Sequence, residues 1–301
     1  MAKEYTSFKE LTTAIYTEKE ITLAEFLGRY QKELYEKNDF NSIMHAKRLK
    51  QYQNEIFDEE YISELQMYFI ETYYRLKKEY PKLQIKLKGR IKSFESFDPK
   101  VVSKINKNVF SVEEIHDTLA FRFIINGNYP KNQLINLCYD IMNTLIEQTT
   151  LDLDRSSYTP GKADSLSNIM TDEEITKLRN DPDNSEIIIP SKSKIKPQFQ
   201  NLVKDYLLHP KTNLYQSLHT YFTRQPGGQD FEIQVRTHDM DVTSEIGNAN
   251  WNTYKKSKYQ SSKLDRERIH LEKYKFENGI LKYDYCGFQK HREILLLDNS
   301  Y

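Results

Sequence analysis

The stretch 231–237 constrains this chain more than any other. Phe231, Ile233 and Val235 alternate with Glu232, Gln234 and Arg236. Successive side chains leave an extended strand on opposite faces, so the apolar three point one way and the polar three the other. A carboxylate, an amide and a guanidinium then share one surface of a sheet, and that surface is expected not to be a core face.

Other segments supply the rest of a sheet. Residues 214–222 place Tyr215, Ser217 and His219 on one face in the same manner. In 115–125, Asp117 stands at a strand's start among Leu119, Phe121 and Phe123. Residues 83–92 set Leu83, Ile85 and Leu87 against Gln84, Lys86 and Lys88, a half-buried strand with a basic end that attracts anions. On the strands alone, such polar faces read equally as solvated surface with cross-strand pairs.

Helical spacing fills the intervals. Leu23, Phe26, Leu27, Tyr30 and Leu34, then Ile43, Leu49 and Tyr52, predict a helical hairpin over 22–55 with a break near Asn38 and Asp39. Asp58, Glu59 and Glu60 form the acidic first turn of a helix that runs to Pro81. Helices are also expected over 131–148, 238–256 and 264–276. Strands and helices mix, which predicts an α/β (α+β) class with a mixed central β-sheet flanked by helices. Residues 149–201, rich in Asp, Ser, Asn, Pro and Lys, read as a loop-rich insertion with a short helix after Thr171, of the kind that forms lids or binding elements. The organisation expected is a helical region over 1–80, a central domain over 81–260 and a helical extension over 261–301.

Composition narrows the function. With 44 Lys and Arg against 44 Asp and Glu, no whole-molecule field draws in nucleic acid or membrane, so any anion site is local. No apolar run approaches the roughly 20 residues of a spanning helix and no signal segment opens the chain, which predicts a soluble, cytoplasmic protein without a membrane partner. Cys138 and Cys286 stand far apart and outside metal spacing, which argues against zinc.

The polar residues fall into an ordered set. Gly89-Arg90-Ile91-Lys92-Ser93 is followed by Ser96 and Lys100, and Ile115-His116-Asp117 by Arg122. After the insertion come Asp205-Tyr206, then Pro210-Lys211-Thr212-Asn213-Leu214-Tyr215-Gln216-Ser217-Leu218-His219, then Glu232-Ile233-Gln234-Val235-Arg236-Thr237. Met240, Glu245, Trp251 and Tyr254-Lys255 continue the order. This set, from about Gly89 to Lys255, resembles the synthetase domain of the RelA/SpoT (p)ppGpp synthetases, in the form of the small alarmone synthetases.

The resemblance implies a nucleotidyltransferase-like synthetase fold and an ATP-dependent pyrophosphotransferase. Such an enzyme makes (p)ppGpp by transfer to the 3′-hydroxyl of GDP or GTP and releases AMP. It implies that Arg90, Lys92, Ser96, Lys100 and Arg122 bind ATP, the two arginines flanking adenine. It implies Asp117 as a Mg²⁺ ligand, and Glu232 as a second ligand or as the base for the hydroxyl. Lys211, Asn213, Tyr215, His219 and Gln234 would hold the acceptor, Tyr215 by stacking.

Some features depart from the pattern. Leu214 replaces a glycine usual before the tyrosine, and Asn250 a histidine often found before Trp251. His116-Asp117 and His238-Asp239 are dyads without matching upstream histidines, and no N-terminal hydrolase domain is evident. The alternative function is that of the toxic small alarmone synthetases, some of which pyrophosphorylate the 3′-terminal adenosine of tRNA. That alternative brings tRNA and an antitoxin protein as partners, and a homo-oligomer stays open.

Overall fold

A computed structural model of the chain describes residues 23–106, 115–153, 158–163, 166–180, 187–224, 229–245 and 292–298. The helices, in chain order, are α1 (Leu23–Glu36), α2 (Phe40–Phe57), α3 (Glu59–Glu79), α4 (Phe94–Asn106), α5 (Lys131–Asp152), α6 (Asp172–Asn180) and α7 (His238–Glu245). The strands are β1 (Gln84–Ile91), β2 (Leu119–Asn126), β3 (Tyr158–Pro160), β4 (Lys204–Asp205), β5 (Leu218–Arg224), β6 (Asp230–Thr237) and β7 (Arg292–Asp298). A 3₁₀ turn spans Pro197–Leu202. Two compact units divide the chain. The first comprises Met1–Asp58, Ile91–Thr118 and Lys255–Arg292, the second Glu59–Arg90, Leu119–Tyr254 and Glu293–Tyr301.

In the first unit the expected hairpin forms. Asn38 takes a left-handed φ of 50°, a conformation its short polar side chain tolerates, and the chain reverses there. Asp39 then caps α2, its Oδ1 accepting from the Ser42 amide at 2.9 Å. Phe26, Leu27 and Tyr30 of α1 and Ala46, Leu49 and Tyr52 of α2 are buried. Helix α4, absent from the sequence reading, packs on α2 through stacked Tyr52 and Phe97 rings 4.1 Å apart. A buried His45–Asp98 contact of 2.6 Å joins the same two helices.

The second unit is built on a mixed sheet of order β3-β5-β6-β2-β1-β7, with β4 also paired to β5. Strand β2 runs parallel to β6, and β5 antiparallel to it. The register puts Leu119, Phe121 and Phe123 beside Phe231, Ile233 and Val235. Phe69 of α3 stacks on Phe121 at 3.9 Å and meets Phe231 at 5.7 Å, so the apolar face is the core. Tyr68 and Thr149, 2.9 Å apart, tie α3 to α5. Gly89 of β1 is required by contact: a Cβ there would lie 2.9 Å from both Leu295 of β7 and the Phe121 ring.

Several expectations change. The polar face of β6 is buried, Gln234 being 4% and Arg236 0% exposed. Arg236 finds Asp241 on α7 and Glu232 finds His219 on β5, so their charges are compensated. Strand β5 begins at Leu218, so Tyr215 and Ser217 do not lie on a strand face with His219. A left-handed Leu214, φ 66°, breaks the extended run just before them. Strand β2 likewise begins at Leu119, leaving Asp117 ahead of it.

The insertion gives more order than a loop: α5 runs on to Asp152, β3 pairs with the far end of β5, and α6 follows Thr171 as expected. Residues 292–298, placed in a helical extension by the sequence, form β7. Ile294 to Leu297 make a four-residue apolar run, too short for a helix and suited to a strand. The helix expected over 264–276, the end of that over 238–256, and Cys286 lie outside the described residues. Among the described residues no helix is long and apolar enough to cross a membrane.

Candidate functional site

In the first unit the residues converge on Asp117. The amide of Lys92, just past β1, donates to the Thr118 carbonyl at 2.7 Å, and this sets the two strand-end segments side by side. Asp117 accepts from Lys92 Nζ on one carboxylate oxygen and from Lys100 Nζ, at 2.8 Å, on the other. Burial alone would push the Asp117 carboxyl up, but the Lys100 and Lys92 ammoniums overcome it and hold it well below its ordinary range. Two ammoniums against one carboxylate leave a positive charge over. Ser96 sits in the first turn of α4, its Oγ 3.1 Å from that of Ser93.

In the second unit the polar faces of β2, β5 and β6 carry one connected network. Tyr215 Oη lies 2.8 Å from His219 Nε2, and His219 Nδ1 lies 2.7 Å from Glu232 Oε1. A carboxylate only accepts, so His219 holds its proton on Nδ1 and its Nε2 accepts from the Tyr215 hydroxyl. Burial lowers the His219 pKa, with Glu232 opposing and Lys211 and Lys204 assisting, which keeps the ring neutral. Gln234 donates to the other oxygen of Glu232 at 2.5 Å and accepts from Arg122 Nε at 2.9 Å.

Arg122 continues to α7, donating to Asp241 at 3.1 Å and Glu245 at 2.8 Å. Arg236 also binds Asp241, and Lys88 of β1 reaches its second oxygen at 3.2 Å. Burial would raise the carboxyls of Asp241 and Glu245, but Arg236, Arg122 and Lys88 bring the first down and Arg122 brings the second down. Arg90 follows Lys86 and Lys88 on the half-exposed face of β1.

The segment 211–215 is a tight turn. Leu214 donates to the Lys211 carbonyl at 2.8 Å and Lys211 to the Tyr215 carbonyl at 3.1 Å. Asn213 Oδ1 accepts from the Tyr215 amide at 3.3 Å. The turn sets Lys211 Nζ 4.6 Å from the Tyr206 ring centre and 5.1 Å from that of Tyr215, both cation–π distances. Arg236 approaches Tyr215 at 5.8 Å. The ring expected to stack on a base thus keeps the company of two cations.

With this geometry in view, residues 89–259, more than half of the chain, match the model of the region found in RelA / SpoT proteins. The chain belongs to the RelA/SpoT family.

A Spiroplasma citri protein named guanosine-3′,5′-bis(diphosphate) 3′-pyrophosphohydrolase is 27% identical over 217 residues, 71% of this chain and 20% of that protein. The bifunctional (p)ppGpp synthase/hydrolase SpoT of Escherichia coli is 51% identical over 53 residues, 18% of this chain and 7% of that one. The matches span a fifth or less of these relatives' own length. Among solved structures, the small alarmone synthetase 1 of Bacillus subtilis bound to its product pppGpp is similar at 15% identity and a TM-score of 0.39, covering 80% of this chain and 92% of that one.

Other motif residues of this family member do structural work that sequence did not reveal. Asp205 accepts from Tyr139 of α5 at 3.0 and 3.1 Å and from the amides of Leu207 and Leu208, closing the turn after β4. Gln216 donates to the carbonyls of Ile188 and Leu207, and Ser217 to that of Val235. All three side chains are buried. A buried polar side chain and a ligand-binding one look alike in sequence, and only their partners separate them.

Proposed function

We propose that this RelA/SpoT-family chain is an ATP-dependent pyrophosphotransferase, a GTP diphosphokinase-like (p)ppGpp synthetase acting on GDP or GTP. The observation that carries the reading is the hydrogen-bonded run Tyr215–His219–Glu232–Gln234–Arg122, which orients one carboxylate from both of its oxygens. Its oxygen lone pairs not taken by His219 and Gln234 can accept a proton.

In the reaction, the acceptor's 3′-oxygen loses its proton to Glu232 and bonds to the β-phosphorus of ATP. The bond from that phosphorus to the α–β bridging oxygen breaks, and AMP leaves with the electron pair. Phosphoryl-type transfer of this kind asks mainly for charge neutralisation and alignment. Arg90, Lys92, Ser96, Lys100 and Arg122 are assigned to the ATP, and the triphosphate competes with Asp117 for Lys92 and Lys100. Lys211, Asn213, Tyr215, His219 and Gln234 are assigned to the acceptor.

Carboxylate oxygens are hard donors of the kind Mg²⁺ takes together with phosphate oxygens and water. Asp117 is assigned to Mg²⁺, and Glu232 to a metal ion where it does not serve as the base for the acceptor hydroxyl. When bound, Mg²⁺ would neutralise charge developing on the phosphates.

Leu214 supports a second reading, in which the acceptor is the 3′-terminal adenosine of tRNA. A branched side chain held at φ 66° stands just before Tyr215, where bare backbone would leave more room. Purified protein given ATP labelled in its β- or γ-phosphate, Mg²⁺ and either GDP or bulk tRNA decides. Label in ppGpp supports the first reading, label in tRNA the second, and label in neither overturns both.

A further inference from the structure

The Asp117 cluster of the first unit rests on α2, which lies ahead of the family-matched residues 89–259. Arg48 and Tyr52 are one turn apart on that helix, on the same face, and each is 1% exposed. Arg48 Nη2 donates to the Ile115 carbonyl at 2.8 Å and lies 3.4 Å from the Thr118 side-chain Oγ1, so one guanidinium holds the backbone before Asp117 and meets the side chain after it. Tyr52 Oη donates to the Lys92 carbonyl at 2.7 Å. Phe97 is clamped between them, stacked on Tyr52 and 4.8 Å from the Arg48 guanidinium. Phe97 stands on α4, which also carries Lys100.

We infer that Arg48 and Tyr52 are positioning residues for nucleotide binding: they fix the backbone from which Lys92 and Lys100 reach the ATP phosphates and on which Asp117 holds those two lysines. Both are too deeply buried to touch a nucleotide themselves. This inference rests on the ATP reading given above. Its physical content is that ammonium placement depends on the backbone behind it, because charge-assisted contacts weaken steeply when donors move out of line.

Tyr52→Phe removes one hydroxyl and keeps the ring on Phe97. Binding of N-methylanthraniloyl ATP and GDP is followed by fluorescence, with thermal denaturation alongside. The Tyr52→Phe protein should bind the ATP probe up to about fivefold more weakly, the size reached when the whole contribution of the Tyr52–Lys92 hydrogen bond is needed to hold Lys92 in line, and the GDP probe within about twofold of wild type. Arg48→Lys, which keeps the charge but not the fork, should act in the same direction. Leu27→Val, a buried change in α1, should lower the melting temperature without moving either affinity. A Tyr52→Phe protein with unchanged ATP affinity, or a Leu27→Val protein weakened as much, overturns the inference. Wild-type protein that binds neither probe overturns the functional reading, and this inference with it. Should Arg48→Lys not fold, Tyr52→Phe carries the test alone.

Discussion

His219 Nδ1 lies 2.7 Å from Glu232 Oε1, while the other nitrogen of the ring faces the Tyr215 hydroxyl. The ring therefore spends its only proton on the carboxylate, and Glu232 is held in one orientation as a charged acceptor. Replacing Glu232 by Gln keeps the shape and an oxygen for His219 but removes the charge. Transfer should be abolished, with ATP-probe binding kept within roughly tenfold. Wild-type turnover by Glu232→Gln removes this residue from the chemistry.

Arg122 reaches Gln234, Asp241 and Glu245 at once. In Arg122→Ala, Asp241 retains Arg236 and Lys88, and Glu245 is 51% exposed and can turn to water. The stability loss should then be about 1–2 kcal/mol, below the 3–5 kcal/mol typical of an isolated buried pair. The loss on the ATP side should be larger in effect, on the order of 1.5–3 kcal/mol for one charge-assisted contact. Urea midpoints and the Michaelis constant for ATP measure the two separately, and unchanged ATP kinetics refute the assigned role.

Asp241 makes stability depend on pH. Burial opposes its charge, but Arg236, Arg122 and Lys88 prevail and lower its pKa in the folded state. A depressed carboxyl stabilises fully above its unfolded value, about 3.9, and that contribution disappears as pH falls through the folded value. Asp241→Asn should be less stable than wild type at pH 7, and the gap should close on acidification below about pH 4. A gap that stays constant from pH 7 to pH 3 contradicts this account.

Much of this was legible from sequence, and the failures have physical causes. The alternation in 231–237 gave β6 and the facing of Glu232, Gln234 and Arg236. It could not tell that α7 would bury that face, because pairing of Arg236 with Asp241 depends on how the chain turns after Thr237. In 214–222 the alternation continues through Leu214, whose apolar side chain hides a left-handed backbone. Strand β3 is three residues ending in Pro160 and exists only by pairing with β5, a contact of long sequence separation. Tyr52 was legible only as one position of a helical pattern and the backbone contacts of Arg48 and Tyr52 not at all, since the residues they hold lie 40 to 70 positions away.

Leu214 offers a test of stored strain. A non-glycine residue in the left-handed region costs about 1–3 kcal/mol, and glycine there gives back some 0.4–1 kcal/mol through the flexibility of the unfolded chain. Leu214→Gly should therefore stabilise by about 1 kcal/mol, while Leu214→Ala, which keeps the strain, should not. Equal or lower urea midpoints for Leu214→Gly would show that the leucine side chain contributes more packing than its backbone loses.

Salt dependence separates the two acceptors. A free nucleotide is held by contacts close to Tyr215, so Lys211 and His219 should be indispensable to transfer onto GDP. A tRNA end draws affinity from phosphate contacts spread over basic residues, and the insertion offers Lys192, Lys194 and Lys196, all exposed. Lys196 already pairs with Glu147 at 2.5 Å, and Asn143 bonds the Lys194 carbonyl and the Lys196 amide, so this segment is fixed on α5. Reversing Lys196 would set two glutamates together, which makes Lys192→Glu with Lys194→Glu the cleaner variant. If tRNA is the acceptor, its modification should fall steeply with added salt as counterion release is lost, and the double variant should flatten that slope. Transfer to GDP should fall only gently with salt and be unmoved by the variant. Shallow salt dependence for both acceptors, with the double variant as active as wild type, would sink the RNA reading and leave the nucleotide acceptor standing.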